Sequence, residues 1–218
     1  MASYLSLSYF LDQETTIYGG NKGVVVSEER SIKNGDTANT KKIQLNNHSG
    51  THIDFPNHFF TSGLTSEKYD SDFWMFDSPF LITKKTRQDK IIDITDQEID
   101  MIPVHTDFLI YKTGFGEFRD SKKYWKNNPG FNPSVADKLR NNFPRLRVFG
   151  MDIISVTAFQ NRDLGREAHR KFLGGKKPIL LIEDMNLDLL KSQPKFIFCA
   201  PLLVRGLDGS PINIIAKL

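Results

Sequence analysis

Apolar positions along this chain fall into short runs, most with a period of two and a few with the wider spacing of a helix. Leu5, Leu7 and Tyr9 alternate through residues 4–10, the pattern of a strand buried on one face. Val24, Val25 and Val26 form a β-branched run, and residues 41–46 alternate again. Residues 79–82, 90–94 and 108–111 read as further strands. Residues 147–156 predict a strand with a polar pair, Asp152 and Ser155, embedded in it, and residues 178–183 a strongly apolar strand ending in Glu183. Two last strands, over 196–203 and 211–216, are joined by a turn at Asp208-Gly209-Ser210-Pro211. Helical signals are fewer. Residues 96–101 suit a short helix or turn. Residues 132–142 suit a helix capped by Asn132 or Ser134, with Pro133 in its first turn and Val135, Ala136 and Leu139 on one face. Residues 166–173 form a short helix carrying His169. No repeat, low-complexity segment or linker interrupts the pattern, which predicts one α/β domain over residues 1–218.

Composition narrows the partners. The chain carries 29 basic and 26 acidic residues, a net charge of +3, too balanced for a nucleic-acid or anionic-membrane surface. No apolar run approaches the ~20 residues needed to cross a bilayer. The first residues lack a basic region followed by a long apolar core, so the expected location is cytoplasmic. Cys199 is the only cysteine; set among Phe196, Ile197, Phe198 and Ala200, it reads as an inert buried thiol.

The candidate chemistry is concentrated in residues 46–58. Three of the five histidines fall there, and with Asp54 they occupy positions 48, 52, 54 and 58. An extended path sends alternate side chains to one face, so His48, His52, Asp54 and His58 are expected to converge. A helix would turn Asp54 about 200° from His52, and Gly50, Thr51, Ile53 and Pro56 disfavour one. Imidazoles with a carboxylate suit a divalent ion such as zinc or manganese. His105 stands alone and reads as structural. His169, in a basic helix, reads by itself as a surface residue, whereas Glu183 at the end of a buried strand needs a partner. The aromatic segments Phe59-Phe60 and Phe73-Trp74-Met75-Phe76 suit either core packing or an apolar wall for an aromatic substrate.

His48-Ser49-Gly50-Thr51-His52-Ile53-Asp54-Phe55-Pro56-Asn57-His58 resembles the H-x-G-T-H-x-D-x-P-x-H signature of the cyclase family of metal-dependent hydrolases, which includes bacterial kynurenine formamidases and isatin hydrolases. Thr113-Gly114-Phe115-Gly116 is similar to the family's T-G-W-G loop, with Phe115 in the tryptophan's place. The segment from Thr15 to Gly20 is similar to its T-P-x-Y-P-G without the prolines, and Gly150, Asp152 and Ser155 match G-x-D-x-x-S. The resemblance implies a swivelling β/β/α fold with a mixed sheet or barrel-like core. It implies that His48, His52 and Asp54 hold one ion, zinc or manganese. Asp54 then bridges to a second ion held by His169 and Glu183, with Asp184 replacing Glu183 if the register slips by one. His58 becomes a proton-transfer residue rather than a ligand. The implied activity is hydrolysis of a small amide, formamide or cyclic amide, isatin-like ring opening being the close alternative and a metal-stabilised binding protein without turnover the distant one. A homodimer or homotetramer is implied as well.

Overall fold

The computed structural model describes residues 3–218. Its strands are β1 (Tyr4–Ser6), β2 (Val24–Arg30), β3 (Thr40–Leu45), β4 (His52–Asp54), β5 (Met75–Phe76), β6 (Pro79–Thr83), β7 (Ile91–Ile92), β8 (Phe108–Lys112), β9 (Gly130–Phe131), β10 (Val148–Met151), β11 (Leu180–Glu183), β12 (Phe196–Pro201) and β13 (Gly209–Lys217). The helices are α1 (Asp96–Met101), α2 (Lys122–Lys126), α3 (Ser134–Asn142) and α4 (Arg162–Leu173).

The most continuous apolar runs lie side by side. β6, β8, β10 and β11 are parallel neighbours, and apolar residues fill both faces because each face is covered. From β11 the sheet turns antiparallel through β4, β13, β12 and β5, with β1 also paired to β13. The result is a mixed, nearly closed, barrel-like sheet, the α/β architecture expected. Two small pairs, β2–β3 and β7–β9, stand apart from it. No helix of the described residues is long and apolar enough to cross a membrane.

Several local expectations shift. β1 ends at Ser6; the chain continues through the buried Leu7, whose N–H donates to Ile214 O. The strand anticipated over 147–156 stops at Met151, where the chain leaves the sheet and carries Asp152 and Ser155 into a loop. Asp208-Gly209-Ser210-Pro211 is not a turn: β13 already begins at Gly209. α4 begins four residues earlier than anticipated and buries Gly165, Ala168, His169, Phe172 and Leu173. These positions form the i, i+3, i+4, i+7, i+8 stripe of a helix packed on a core. His169 therefore belongs to the apolar face and not to the surface. Phe172 on that stripe stacks on Phe149 of β10, with ring centroids 5.2 Å apart.

The aromatic run at 73–76 resolves as core packing. Trp74 and Phe76 are buried against Phe55 and Phe108. Phe115 is buried against Phe118 and Tyr124. Cys199 is buried, and desolvation pushes its thiol above the ordinary range. His105 is exposed.

Asp152 ties the Thr113–Gly116 turn to the end of β10. Its buried carboxylate accepts from Thr113 N and Thr113 Oγ1 at 2.7 Å each and from Gly114 N at 2.8 Å. Replacement of Asp152 by Ala strands these donors and should destabilise the protein by about 2–3 kcal/mol, read as a lowered urea midpoint. An unchanged midpoint would show that the turn holds without it.

Candidate metal centre

β4 is only three residues long, yet all three are buried and the alternation along it is strict. Ile53 faces the core, and His52 and Asp54 face the opposite side. Antiparallel pairing with β11 sets Glu183 directly across from His52, and pairing with β13 sets Gly209 across from Asp54. His52, Asp54 and Glu183 thus share one face by register alone. The extended path does not hold over the whole motif. Gly50 has φ +61°, and Pro56–His58 form a 3-10 turn. His48 precedes the first bend and His58 ends the second. All four motif side chains still meet, because both bends fold back over β4. The strand that precedes the motif, β3, ends at Leu45 and pairs only with β2, so the ligands stand on a different strand, β4.

His169 arrives from α4. Its Nε2 lies 3.5 Å from Asp54 Oδ2 and 3.5 Å from Glu183 Oε1. His52 Nε2 lies 3.5 Å from Asp54 Oδ1 and 3.6 Å from Glu183 Oε2. His48 Nδ1 stands 2.9 Å from Asp54 Oδ1. His169 and Glu183, more than a hundred residues beyond the motif, are thus brought to it. Asp184 is not: it turns away at φ 52° and accepts from Arg119 Nη2 (2.9 Å) and Tyr124 Oη (2.6 Å).

The hydrogen bonds on the far side of each ring fix what the near side presents. His52 Nδ1 donates to Gly50 O and His169 Nδ1 to Gly165 O, each at 2.9 Å. His48 Nε2 donates to Asp208 Oδ2 at 3.0 Å. In their neutral forms all three rings aim a lone pair at the carboxylates of Asp54 and Glu183. Glu183 has some relief, since Val156 N (2.7 Å) and Ser155 Oγ (3.2 Å) donate to Oε1. Asp54 has no donor apart from these rings: among the described residues nothing else reaches either of its buried oxygens. Lone pairs facing an unrelieved buried carboxylate need a cation between them. The 3.5–3.6 Å spacings also suit it, since donors about 2.0–2.2 Å from a tetrahedral ion stand roughly 3.4 Å apart. The donor set fits a divalent metal, with groupings His52–Asp54–Glu183 and His48–Asp54–His58 each compact enough to hold an ion.

Without metal, protons must fill this role. Burial alone would lower the histidine pKa values. The Asp208 and Asp54 carboxylates nevertheless raise His48 to about 10, and Asp54 and Glu183 raise His169 to about 10. Burial opposes ionisation of Asp54, but His169, His48 and His52 hold its pKa well below the usual range.

Asp208 is the residue that the sequence pattern assigned to a turn. Its Oδ2 accepts from His48 Nε2 and from His58 Nδ1, the latter at 2.8 Å, while Asn47 Nδ2 donates to Oδ1 at 2.7 Å. The hydrogen bonds from His48 and His58 hold its carboxyl below the ordinary range. One carboxylate therefore orients both a candidate ligand and the candidate proton carrier. Gly209 beside it has no room for a side chain, since a Cβ there would lie 2.3 Å from the His48 ring. A spacing signal was available, because Asp208 immediately precedes a Gly–Ser–Pro strand start, but no local pattern indicated its contact with His58.

The centre opens on a cavity of about 390 Å³, walled by Tyr18, Phe59, Ile154 and Thr157. Phe59 stacks on His169 with centroids 4.6 Å apart, so the aromatic wall comes from Phe59 and not from residues 73–76.

The family model described as putative cyclase matches residues 5–158. The chain belongs to this family. Among its relatives, cyclase-like protein 1 of Oryza sativa subsp. japonica is 28% identical over 217 residues, 95% of this chain and 75% of that one. The kynurenine formamidase of Geobacillus thermodenitrificans (strain NG80-2) is 25% identical over 213 residues, 98% of this chain and 96% of that one. Isatin hydrolase A from Labrenzia aggregata, bound to benzyl benzoate, superposes with a TM-score of 0.83 at 19% identity, covering 100% of this chain and 94% of that one. For this cyclase-family chain the likeness at 19% identity establishes the fold, and the barrel-like sheet is shared.

Two outcomes test the centre. An ion must displace the protons that hold His48 and His169 up to about pH 10. Apparent metal affinity should therefore rise from pH 6 to pH 8 by about tenfold per unit for each proton displaced, measured with a competing indicator. A flat profile would contradict protonated rings. Asp208→Ala should weaken metal binding about 10- to 100-fold by releasing the far side of His48, and titration calorimetry at fixed pH reads it directly.

Proposed function

We propose that this chain hydrolyses the C–N bond of small amides, linear formamides or cyclic amides, at a divalent ion held by His48, His52, Asp54, His169 and Glu183. The observation that carries the reading is Asp54: a buried carboxylate with no donor apart from three facing imidazoles, at the floor of a cavity sized for a small molecule. The formamidase and isatin-hydrolase relatives support the amide class. When bound, a divalent ion would supply Lewis-acid polarisation of the substrate carbonyl and lower the pKa of water to about 7.

The protein's own groups supply the rest. Because His58 Nδ1 donates to Asp208, the neutral ring carries its lone pair on Nε2. His58 Nε2 accepts a proton from the attacking water and returns it to the leaving nitrogen, which departs as a neutral amine. Asp208 stabilises the imidazolium in between and keeps the ring from turning. Phe59 holds His169 in place and closes that side to bulk water. A binding protein without turnover would use His58 only as a further ligand beside His48 and Asp54. Phe115, in the position of the family's tryptophan, is buried and is not among the residues that line the cavity. The same reading takes the ion as zinc or manganese from its nitrogen and oxygen donors. It treats residues 1–218 as one domain that works in the cytoplasm as a homodimer or homotetramer.

Chelation should abolish release of formate from an aryl formamide, and added zinc or manganese should restore it. A chelated protein that keeps its rate would refute the reading. His58→Ala should keep its metal and lose about 10²–10⁴-fold in turnover on amides, with the smallest loss on esters whose leaving groups need no proton. Loss of metal in that variant would make His58 a ligand instead.

A further inference from the structure

Beyond the metal residues, the cavity has a second polar region that the proposed chemistry leaves without a task. Arg162 and Arg166, from the first turns of α4, line it together with Thr16, Tyr18 and Asn46. Arg166 is paired with Asp163 at 2.6 Å. Arg162 has no ion-pair partner among the described residues. Instead its guanidinium lies over the Phe159 ring, Cζ 4.2 Å from the centroid. Stacking holds a guanidinium by its face and leaves the N–H groups on its edges free to donate in plane. Tyr18 packs against the same Phe159 ring, centroids 5.6 Å apart. The Tyr18 hydroxyl is buried beside the Arg162 guanidinium, which can only donate to it, so among the described residues its own proton has no acceptor. Burial pushes the phenol pKa upward, so the hydroxyl keeps its proton and remains a donor. Trp125 supports the Phe159 ring from another side, centroids 5.8 Å apart.

A charged fork with donors to spare beside a hydroxyl whose proton has no acceptor, both fixed on one aromatic platform and both lining one cavity, describe an acceptor-shaped vacancy. Guanidinium and hydroxyl together match the two oxygens of a carboxylate in charge and in geometry. The opposite region of the cavity is lined by Asp54 and Glu183 and would repel a second anion unless the ion were present. We infer that Arg162 and Tyr18 form a subsite for a carboxylate, so that the amide hydrolysed here carries an anionic acid group remote from the scissile bond. The inference rests on the hydrolase reading for its reaction and on Arg162, Tyr18 and Phe159 for its specificity.

The test compares 4-formamidophenylacetate with neutral 4-methylformanilide on the metal-loaded protein, following formate release. The acid should be preferred by about 10- to 100-fold in kcat/KM, the range of a charge-assisted hydrogen-bond pair, with the difference in KM. Arg162→Gln should collapse that ratio with metal content unchanged. Arg162→Lys should keep part of it, because the charge survives without the fork. Tyr18→Phe should reduce it by a smaller factor. Equal rates on the two amides in the native protein, or a preference that survives Arg162→Gln, overturns the subsite. If neither amide is hydrolysed, calorimetry with 4-aminophenylacetate and 4-methylaniline decides the subsite separately from the reaction. Tighter binding of the acid that disappears in Arg162→Gln upholds it, and equal binding rejects it.

Discussion

A single buried carboxylate constrains the centre of this molecule. Asp54 is closed off from solvent and, among the described residues, has only the near-side nitrogens of His48, His52 and His169 facing it. Such an arrangement is stable only if positive charge is supplied, by protons on the rings or by a metal ion among them. The surroundings are organised to maintain that demand. Gly50 O and Gly165 O hold the outer nitrogens of His52 and His169, so in their neutral forms neither ring offers Asp54 an N–H. Ser155 and Val156 satisfy one oxygen of Glu183 and leave the other toward His52. The site spends folding stability on a charge imbalance, which is the property that lets it take up an ion.

The fold supports this by rigidity at the floor and permissiveness at the rim. Asp54 and His52 lie on a central strand hydrogen-bonded on both sides, and Glu183 lies on its neighbour. His48, His58 and Asp208 come from bends outside the ladder and are partly exposed. The spacing of His52, Asp54 and Glu183, which must hold to a few tenths of an ångström, is thus set by sheet register. A residue that must exchange protons with a substrate sits where water and substrate arrive. Gly165 shows how close the packing is. A Cβ there would lie 2.3 Å from Thr157, whose hydroxyl contacts His169, so glycine at this position lets α4 bring its histidine to the strand.

Much of this was legible in the chain. The apolar runs located the parallel strands β6, β8, β10 and β11 because strands covered on both faces have little freedom in composition. The density of histidine around Asp54 marked the centre, and the resemblance to the family's signature extended it to His169 and Glu183. Local pattern misjudged two features. His169 read as a surface residue because the basic residues of α4 mask its apolar stripe. Asp208 read as a turn residue because aspartate before Gly–Ser–Pro has a sufficient local explanation. The aromatic run at 73–76 favoured core packing over a wall, and the burial of Trp74 and Phe76 agrees.

What the amino-acid order decided alone is therefore the set of donors and the types of element that carry them. Periodicity and side-chain chemistry are properties of neighbours along the chain, and short-range sterics enforce them. The pairing of β11 against β4, the facing of Glu183 with His52, and the reach of Asp208 to both His48 and His58 belong to contacts across 130 to 160 residues. No local rule encodes such contacts. They follow from closing the sheet around one core, where shifting a strand by a single residue would turn Glu183 away from the metal face and leave Asp54 with one less partner.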